Sequence, residues 1–300
     1  MGKVAFVFSG QGAQYTGMGK SLCEASKAAE SVFDMADSIR TGTSNQCFTA
    51  DSDELCRTVN TQPCVFTADL AAARAVEEKG ITPDFVAGFS LGEIVALAFS
   101  GILTDEEAFK LVCRRGEFMD EAANENKGAM AAVMKLSADK IEEICSDFED
   151  VWPVNYNSPA QTVVAARAEK IDSFCEAVKA NKGRAVPLSV SGAFHSPLMH
   201  TAAVKLSQYL KGVEVCEWKI PMYSNFTAEI YSTDYKNLIA SQVENPVRWQ
   251  KIIENMASNG VDTFVEVGVG KTLTGLIKKI LPEAKAFKVE NAEDLEALCI

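Results

Sequence analysis

A G-x-S-x-G pattern is the part of this chain best suited to covalent chemistry. It reads Gly88-Phe89-Ser90-Leu91-Gly92, with an apolar run before it and a helical pattern after it. That context predicts a strand, a sharp turn and a helix, with the serine hydroxyl at the carboxyl end of a sheet. Backbone N–H groups at the start of the helix are free to stabilise an oxyanion. Ser90 is therefore our candidate nucleophile for acyl transfer.

The nucleophile needs a base within hydrogen-bond reach, and histidine is the usual one near neutral pH. The chain has two histidines, His195 and His200. Ser196 and Pro197 predict the start of a helix, which leaves His195 on the preceding loop and His200 on the helix itself. Because active-site residues favour loops held by a rigid scaffold, we expect His195 to be the base. We interpret His200 as a surface or core histidine.

Arg114 and Arg115 are the candidates for binding an anionic substrate. They are adjacent in a predicted helix, so their side chains project about 100° apart and one of them can face a cleft. Gly116 follows, and a glycine inside a helix costs about 1 kcal/mol relative to alanine, which indicates a close approach on that face. An arginine there could hold a carboxylate through two parallel N–H···O bonds. The residues alone do not choose between Arg114 and Arg115.

The elements around these residues must bring distant parts of the chain together. Predicted strands and helices alternate from Lys3–Phe8 through a long helix at about 62–79, the strand before Ser90 and a helix at about 105–123. Such alternation predicts an α/β protein with a mostly parallel sheet covered on both faces. After His195 the same pattern resumes, with a helix to about 211, a strand at 220–224, helices near 238 and at 247–258, a strand at 263–267 and a last helix from 271.

The pattern changes between about residues 126 and 193. Here the predicted order is strand, helix, strand, strand, helix, strand, which is typical of a ferredoxin-like unit. We therefore expect a discontinuous main domain of residues 1–125 and 194–300 with an inserted subdomain of residues 126–193. Ser90 and His195 would then lie on opposite walls of a cleft at the junction, a favoured place for substrates. In chain order the predicted elements of the insertion are 129–135, 138–147, 151–155, 162–166, 169–181 and 184–188.

Composition narrows the function classes. Of 300 residues 47% are hydrophobic, so the chain can bury a large core. Its net charge of −12 argues against a nucleic acid partner, because that binding depends on Lys and Arg neutralising phosphates. Nine cysteines without a C-x-x-C pair indicate reduced thiols in a cytoplasm and, with only two histidines, no metal site. The apolar runs are too short for a membrane span or a signal peptide.

Several short motifs occur in the order found in one enzyme family. They are FSGQGAQ at 8–14, GFSLGE at 88–93, RGEFM at 115–119, NYNSP at 155–159, AFHS at 193–196, NPVRW at 245–249 and EVG at 266–268. Over about residues 3–280 the chain resembles the malonyl-CoA:acyl carrier protein transacylases. The resemblance implies an α/β-hydrolase-like domain with a ferredoxin-like insertion, in agreement with the pattern of elements. It also implies transfer of malonyl from malonyl-CoA to the phosphopantetheine thiol of acyl carrier protein in fatty acid biosynthesis.

The same resemblance assigns catalytic roles. It implies that Ser90 forms a malonyl ester and that His195 acts first as general base and then as general acid. The backbone N–H groups of Gln11 and Leu91 would form the oxyanion hole, and the main-chain carbonyl of Gln242 would orient the histidine. A carbonyl fixes the imidazole tautomer without adding a buried charge to a site that must hold an anionic acyl group.

For the substrate, the resemblance favours Arg115 over Arg114 as the residue that binds the malonyl carboxylate. It also implies that Asn157 lines the cleft. Phe194 stands where users of methylmalonyl groups commonly have a smaller residue, so its ring is expected to exclude branched acyl groups.

The chain also departs from the family pattern. Phe89 stands where histidine is usual, Ala160 where glycine is usual and Val269 where proline is usual. Phe89 removes a polar neighbour of the nucleophile and leaves the acyl-transfer roles in place.

The expected partners are malonyl-CoA and acyl carrier protein, with no nucleic acid and no membrane. We expect a cytoplasmic monomer with no permanently bound cofactor and a coenzyme A thioester as substrate. Two other hypotheses stay open: an esterase or thioesterase, which would need a triad acid and release free malonate, and a non-catalytic module that binds the carrier. A polyketide acyltransferase shares these residues, although the lack of flanking modules favours a free-standing enzyme of fatty acid synthesis.

Overall fold

The computed structural model describes residues 2–300 and has an α/β architecture with two separate sheets. The strands are β1 (Lys3–Phe8), β2 (Phe85–Gly88), β3 (Gly128–Met134), β4 (Val151–Ser158), β5 (Gln161–Arg167), β6 (Arg184–Pro187), β7 (Met222–Tyr223), β8 (Val261–Val267) and β9 (Lys285–Val289). The α-helices are α1 (Lys20–Ala25), α2 (Lys27–Ile39), α3 (Thr43–Thr49), α4 (Ser52–Leu55), α5 (Thr58–Glu78), α6 (Gly92–Phe99), α7 (Asp105–Glu125), α8 (Ala138–Ser146), α9 (Ile171–Ala180), α10 (His200–Leu210), α11 (Tyr235–Ser241), α12 (Trp249–Ser258), α13 (Thr272–Ile280) and α14 (Ala292–Ala297). Within residues 2–300, none of these helices has the length and apolar character needed to cross a membrane.

The larger sheet confirms the predicted parallel arrangement. Its strand order is β7-β2-β1-β8-β9, and every neighbouring pair is parallel. Both faces are covered: Phe6 and Phe8 of β1 belong to one apolar cluster, and Ala5 and Val7 belong to another. This double burial explains why β1 is apolar along most of its length. The carboxyl ends of β1, β2 and β8 meet at one edge, where ligands of such sheets bind.

Helix α7 is amphipathic and carries one functional candidate toward the core. It begins after Thr104, whose hydroxyl accepts a hydrogen bond from the N–H of Glu107 at 3.1 Å and caps the helix. Leu111, Arg115 and Met119 follow one another at a spacing of one helical turn, and all three are buried. Arg115 therefore points to the same side as the apolar residues of the helix.

The smaller sheet is antiparallel and lies within residues 128–187. Its strand order is β4-β5-β3-β6, and α8 and α9 pack on one face through a separate apolar cluster. The opposite face, which includes Met130 and Val163, joins the core of the larger sheet. In chain order the elements are β3, α8, β4, β5, α9 and β6, each within three residues of its predicted bounds.

Three expectations outside this region are wrong. Helix α5 starts at Thr58 rather than near residue 62, because the carbonyl of Arg57 accepts from the N–H groups of Asn60 and Thr61 and the helix continues through Pro63. Strand β7 is much shorter than the predicted 220–224. Helix α13 is not the last element, since β9 pairs with β8 and α14 follows. Strand β9 is a partly exposed edge strand, so it lacks the apolar run of a buried one.

Candidate active site

The turn between β2 and α6 presents Ser90. Its φ is 55°, in the left-handed region that residues other than glycine seldom occupy. A Cβ on Gly88 would lie 1.8 Å from the carbonyl carbon of Gly92, and one on Gly92 would lie 2.3 Å from the carbonyl oxygen of Phe8. Only glycine fits at these two positions. The tight turn directs the serine hydroxyl away from the sheet, as the G-x-S-x-G pattern predicts.

The imidazole of His195 lies against that hydroxyl. Its Nε2 is 2.7 Å from Ser90 Oγ, and its Nδ1 is 2.9 Å from the main-chain oxygen of Gln242. A carbonyl oxygen can only accept, so Nδ1 carries the proton and Nε2 is left to accept from the serine O–H. Burial, and to a smaller extent the charge of Arg115, lower the pKa of His195 from 6.5 to about 4. The imidazole is therefore neutral at pH 7 and can take a proton.

The structure separates the two adjacent arginines. Arg114 is exposed and forms an ion pair on the helix surface, whereas Arg115 is only 1% exposed. Arg115 Nη2 lies 3.3 Å from Ser90 Oγ and donates to Gln242 Oε1 at 2.8 Å. Its Nη1 donates to Gln62 Oε1 at 2.9 Å, and its Nε has no hydrogen-bond partner among residues 2–300. Burial lowers the pKa of Arg115 to about 10, so a protonated guanidinium stands beside the nucleophile at pH 7.

Gln11 and Leu91 lie on the two turns that flank Ser90 Oγ. Gln11 follows β1 and lines the same cavity as Ser90, and Leu91 is the next residue after Ser90. Neither backbone N–H donates a hydrogen bond within the described chain. Asp69 fixes the loop ahead of Gln11, because it accepts from both the N–H and the Oγ of Ser9 at 3.0 Å. Free N–H groups on adjoining turns are suited to a developing negative oxygen.

A cavity of about 90 Å³ contains the reacting groups, and a second of about 250 Å³ adjoins it. Besides Ser90 and His195, the smaller one is lined by Gln11, Phe89, Met119, Met130, Asn155, Leu188, Val190 and Phe194. The larger one shares Gln11, Phe89, Asn155 and Leu188 with it and adds Asn157. Cavities of about 510 and 470 Å³ lie elsewhere and include none of these groups, so we place the site by its chemistry rather than by size.

The remaining sequence candidates divide between the cavity and the surface. Asn157 donates from Nδ2 to Gln161 Oε1 at 3.0 Å, while its buried Oδ1 has no partner within residues 2–300. Phe89 packs edge-on against Trp249 at 5.6 Å between ring centres, so it makes an apolar contact at the position where the resemblance led us to expect histidine. His200 lies on the surface, where it contacts Glu244 at 2.8 Å. No group of three or more His, Cys, Asp or Glu side chains in the described residues could hold a metal ion.

Two residues to which the sequence analysis gave no role support the turn: Asn225, which lies outside the quoted motifs, and Glu93, which ends GFSLGE. Asn225 Oδ1 accepts from the Ser90 N–H at 2.7 Å, and its Nδ2 donates to the Gly88 carbonyl at 2.6 Å. Glu93, fully buried in α6, accepts from the side-chain amide of Gln242 at 3.0 Å. Asn225 follows β7, the neighbour of β2, and its place at the carboxyl end of a predicted strand is the signal that could have located it.

Comparisons with known proteins were made by sequence and by structure. Residues 5–295 match the family model described as the acyl transferase domain. The chain is 40% identical over 304 residues to the malonyl CoA-acyl carrier protein transacylase of Bacillus subtilis (strain 168), which covers 99% of this chain and 96% of that protein. It is 37% identical over 305 residues to the protein of the same description from Staphylococcus aureus (strain MRSA252), covering 99% and 98%.

Solved structures of similar proteins superpose over nearly the whole chain. A malonyl CoA-acyl carrier protein transacylase from Clostridium perfringens has a TM-score of 0.95 at 35% identity, covering 98% of this chain and 95% of that one. MCAT from Streptococcus pneumoniae has a TM-score of 0.94 at 38% identity, covering 99% and 100%. A malonyl-transacylase in complex with its type II PKS acyl-carrier protein has a TM-score of 0.95 at 35% identity, covering 98% of each chain.

Proposed function

Because this chain belongs to the acyl transferase domain family and its full-length relatives are malonyl CoA-acyl carrier protein transacylases, we propose that it works through a malonyl ester on Ser90. It is an acyltransferase that moves malonyl from malonyl-CoA to acyl carrier protein in fatty acid or polyketide synthesis. The residue roles that follow are our proposal.

In the first half-reaction Ser90 Oγ attacks the thioester carbonyl carbon while His195 Nε2 takes the hydroxyl proton. The carbonyl oxygen becomes negative and is stabilised by the N–H groups of Gln11 and Leu91, each worth about 10²- to 10³-fold in rate. The C–S bond then breaks, and the imidazolium returns its proton to the sulfur of coenzyme A. The base contributes about 10²- to 10⁴-fold. The product is malonyl-Ser90 and free coenzyme A.

The second half-reaction reverses the first with another thiol. The pantetheine thiol of the carrier gives its proton to His195 Nε2 and attacks the ester carbonyl carbon. The same N–H groups hold the oxyanion, the C–O bond to Ser90 breaks, and the serine oxygen recovers the proton. No water is consumed, so hydrolysis must be excluded while the ester waits.

The observation that carries this proposal is the environment of Arg115. Its buried guanidinium is held by two neutral amide oxygens, lies 3.3 Å from Ser90 Oγ, and makes no direct ion pair within residues 2–300. An unneutralised buried cation is costly unless an anion joins it. The malonyl carboxylate supplies that anion, and it orients the ester for a thiol. Phe194 in the smaller cavity would limit branching of the same acyl group.

Intact mass after mixing with malonyl-CoA tests the covalent step. We expect wild-type protein to gain one malonyl group and to lose it when a carrier thiol is added. Ser90→Ala should gain none, because the attacking oxygen is removed. His200→Ala is the matched control, since His200 is an exposed histidine remote from Ser90, and it should label like the wild type. A malonyl adduct on Ser90→Ala would reject the proposed nucleophile, and free malonate released without a carrier would favour the hydrolase hypothesis.

The role of Arg115 is tested by comparing two acyl groups. In Arg115→Ala we expect kcat/KM for malonyl-CoA to fall by about 10²-fold or more, as for loss of a buried charge-assisted contact. Acetyl-CoA has no carboxylate, so its transfer should survive. An equal loss for both substrates would show that Arg115 supports the fold or the nucleophile rather than the carboxylate.

Finer features of the chain are proposed on the same basis. Residues 126–193 would form a ferredoxin-like subdomain inserted into an α/β-hydrolase-like domain of residues 1–125 and 194–300. The element order and the separate apolar cluster of the smaller sheet support this division. All nine cysteines are free thiols, which supports a cytoplasmic location. We also predict that the substrate is a coenzyme A thioester, that no cofactor is bound permanently and that the protein is a monomer.

A further inference from the structure

Glu93 is a fully buried acid that the mechanism above leaves without a role. One carboxylate oxygen accepts from the hydroxyl of Tyr231 at 2.5 Å. The other accepts from the backbone N–H of Asn225 at 3.1 Å and from Gln242 Nε2 at 3.0 Å. Hydrogen-bond donors face both oxygens and favour the ionised form, but burial outweighs them and raises the pKa of Glu93 to about 7, so the side chain is a carboxylate above that pH. Burying a carboxylate is costly, so its retention here calls for a function.

The side chain of Gln242 links this acid to the anion-binding arginine. Its Nε2 donates to Glu93 and, at 2.7 Å, to the main-chain oxygen of Ser90. Its Oε1 accepts from Arg115 Nη2 at 2.8 Å. If the amide were flipped, its oxygen would face two acceptors and its NH₂ group would face a guanidinium that can only donate. Glu93 and the Ser90 carbonyl therefore impose the amide orientation that Arg115 requires.

This link differs from a direct ion pair in one respect that matters for binding. A carboxylate in contact with Arg115 would neutralise it and compete with an incoming anion. With one amide between them, the negative charge of Glu93 still offsets part of the cost of burying the guanidinium, and indeed Glu93 is the charged group that raises the pKa of Arg115. The guanidinium nevertheless keeps an N–H group directed to Ser90 Oγ.

We propose that Glu93 is a positioning residue for acyl-group selection, acting through the Gln242 amide to hold Arg115 where it can bind a substrate carboxylate. The inference rests on the proposed function. Glu93 touches neither substrate nor reacting atoms in this scheme, so its effect must depend on Arg115 and on the presence of a carboxylate in the acyl group.

Glu93→Gln is the first test, because it keeps the shape of the side chain and replaces one acceptor oxygen with an NH₂ group. We expect kcat/KM for malonyl-CoA to fall about ten-fold, the size of a typical coupling between contacting groups, with acetyl-CoA changed less than about two-fold. In the Arg115→Ala background the same substitution should have no further effect on malonyl transfer. If Glu93 had only a structural role, Glu93→Gln would lower kcat/KM for both substrates alike, and the loss would persist in the Arg115→Ala background.

Two more variants make the result decisive. Gln242→Met removes the amide but keeps the main-chain carbonyl for His195, so it should reproduce the loss of malonyl preference, and it decides the case if Glu93→Gln does not fold. Glu266→Gln is the control: this buried carboxylate accepts from the N–H groups of Leu273 and Thr274 and lies outside the Arg115 network. It should lower stability without altering the ratio of malonyl to acetyl transfer.

The outcomes separate this inference from the proposed function. If wild-type protein gains no malonyl group on Ser90, the proposed function fails and the inference fails with it. If the wild type is labelled, but folded Glu93→Gln and Gln242→Met keep the wild-type preference for malonyl over acetyl, the positioning role is rejected and the acyl-transfer proposal stands. A loss in Glu93→Gln that persists in the Arg115→Ala background would also reject the positioning role.

Discussion

His195, the proposed base, and Arg115, the proposed anion-binding residue, occupy one buried space, and each makes the positive charge of the other more costly. Burial is the larger cause of the low pKa of His195, and Arg115 is the smaller one. A carboxylate at Nδ1 in place of the Gln242 carbonyl would raise that pKa and would place a negative charge near the binding site for another. With the carbonyl, the imidazole stays neutral and keeps one tautomer, so proton transfer and anion binding are compatible.

The acid limb of the pH profile follows from this environment. Because the pKa of His195 is lowered to about 4, we expect kcat/KM for acetyl-CoA to persist below pH 6.5 and to fall only as the pH approaches about 4. In Arg115→Ala the limb should move toward higher pH, since one of the two causes is removed while burial remains. Initial rates of coenzyme A release across the pH range measure both limbs. A wild-type acid limb near pH 6.5, or an acid limb that does not move in Arg115→Ala, would contradict the causes that we assign to the low pKa of His195.

Residues differ in how far the sequence alone can place them. Ser90 lies in a motif whose local turn geometry determines the exposure of its hydroxyl, and His195 is one of only two histidines. The choice of Arg115 over Arg114 depended on a resemblance, because the direction of a helix face is set by packing. Asn225 directly follows the predicted strand at 220–224, but its contact with Ser90 joins positions 135 residues apart, so the sequence marks a strand end without showing what the residue there contacts.

Among the elements, the end of β1 and the start of α6 make a close backbone contact. The N–H of Phe89 donates to the carbonyl of Phe8 at 2.9 Å, and the Cα of Gly92 lies against the same backbone. This contact brings the turn after β1, with Gln11, beside the turn that holds Ser90. The N–H groups of Gln11 and Leu91, which we propose to stabilise the oxyanion, thus both depend on one close approach of backbone to backbone.

Substituting glycines in two helices separates this approach from ordinary helix propensity. In Gly92→Ala the new Cβ would lie 2.3 Å from the Phe8 carbonyl oxygen, so we expect a loss of about 3 kcal/mol or more in the free energy of unfolding, and loss of malonyl labelling. Gly275→Ala, inside α13 with no atom within 4 Å of the new Cβ, should instead gain about 0.5–1 kcal/mol. Urea unfolding measures both. Equal effects would mean that close packing at Gly92 is not what requires glycine.

Elements were predictable where one physical rule dominates. Most strands of the two sheets are largely buried and alternate with helices or turns, so their patterns are strong, and the elements of the smaller sheet lie within three residues of expectation. The two failures among strands lie at the edges of the larger sheet: β7 has two residues, and β9 carries lysines. An edge strand forms because it pairs with a neighbouring strand, and the sequence of the edge strand alone does not indicate that pairing.

At the scale of the whole molecule, the smaller sheet explains how His195 reaches Ser90. Ser90 and His195 are 105 positions apart, and the smaller sheet lies between them in the chain. The ends of this segment are close together, because a Cβ on Gly128 would lie 2.5 Å from the Cβ of Ala193. The chain therefore enters and leaves this segment at nearly the same point, which brings His195 to the cleft, while Met130 and Asn155 of the smaller sheet line the cavity.

The buried charges of this site have opposite effects on stability as the pH falls. Burial raises the pKa of Glu93 from 4.5 to about 7. Between those pH values the folded state holds a proton that the unfolded state has lost, so stability falls as the pH rises through this window. The pKa of His195 is lowered from 6.5 to about 4 by burial, so stability is lost as the pH falls from 6.5 to about 4. Each change corresponds to about 3 kcal/mol, and the two largely cancel between about pH 4.5 and 6.5.

Substituting either Glu93 or His195 should reveal the contribution of the other to the pH dependence of stability. The pKa values of Asp69 and Glu266 are also raised by burial, and they add to the slope of Glu93. We therefore expect the melting temperature of the wild type to hold or rise between pH 7.5 and about 5. Glu93→Gln removes one acid, so relative to the wild type it should lose stability on acidification. His195→Gln should show the opposite difference, becoming relatively more stable at acid pH because the buried base is gone. Thermal melts of the three proteins at matched pH values measure these differences, and parallel curves for wild type and Glu93→Gln would show that Glu93 titrates alike in the folded and unfolded states.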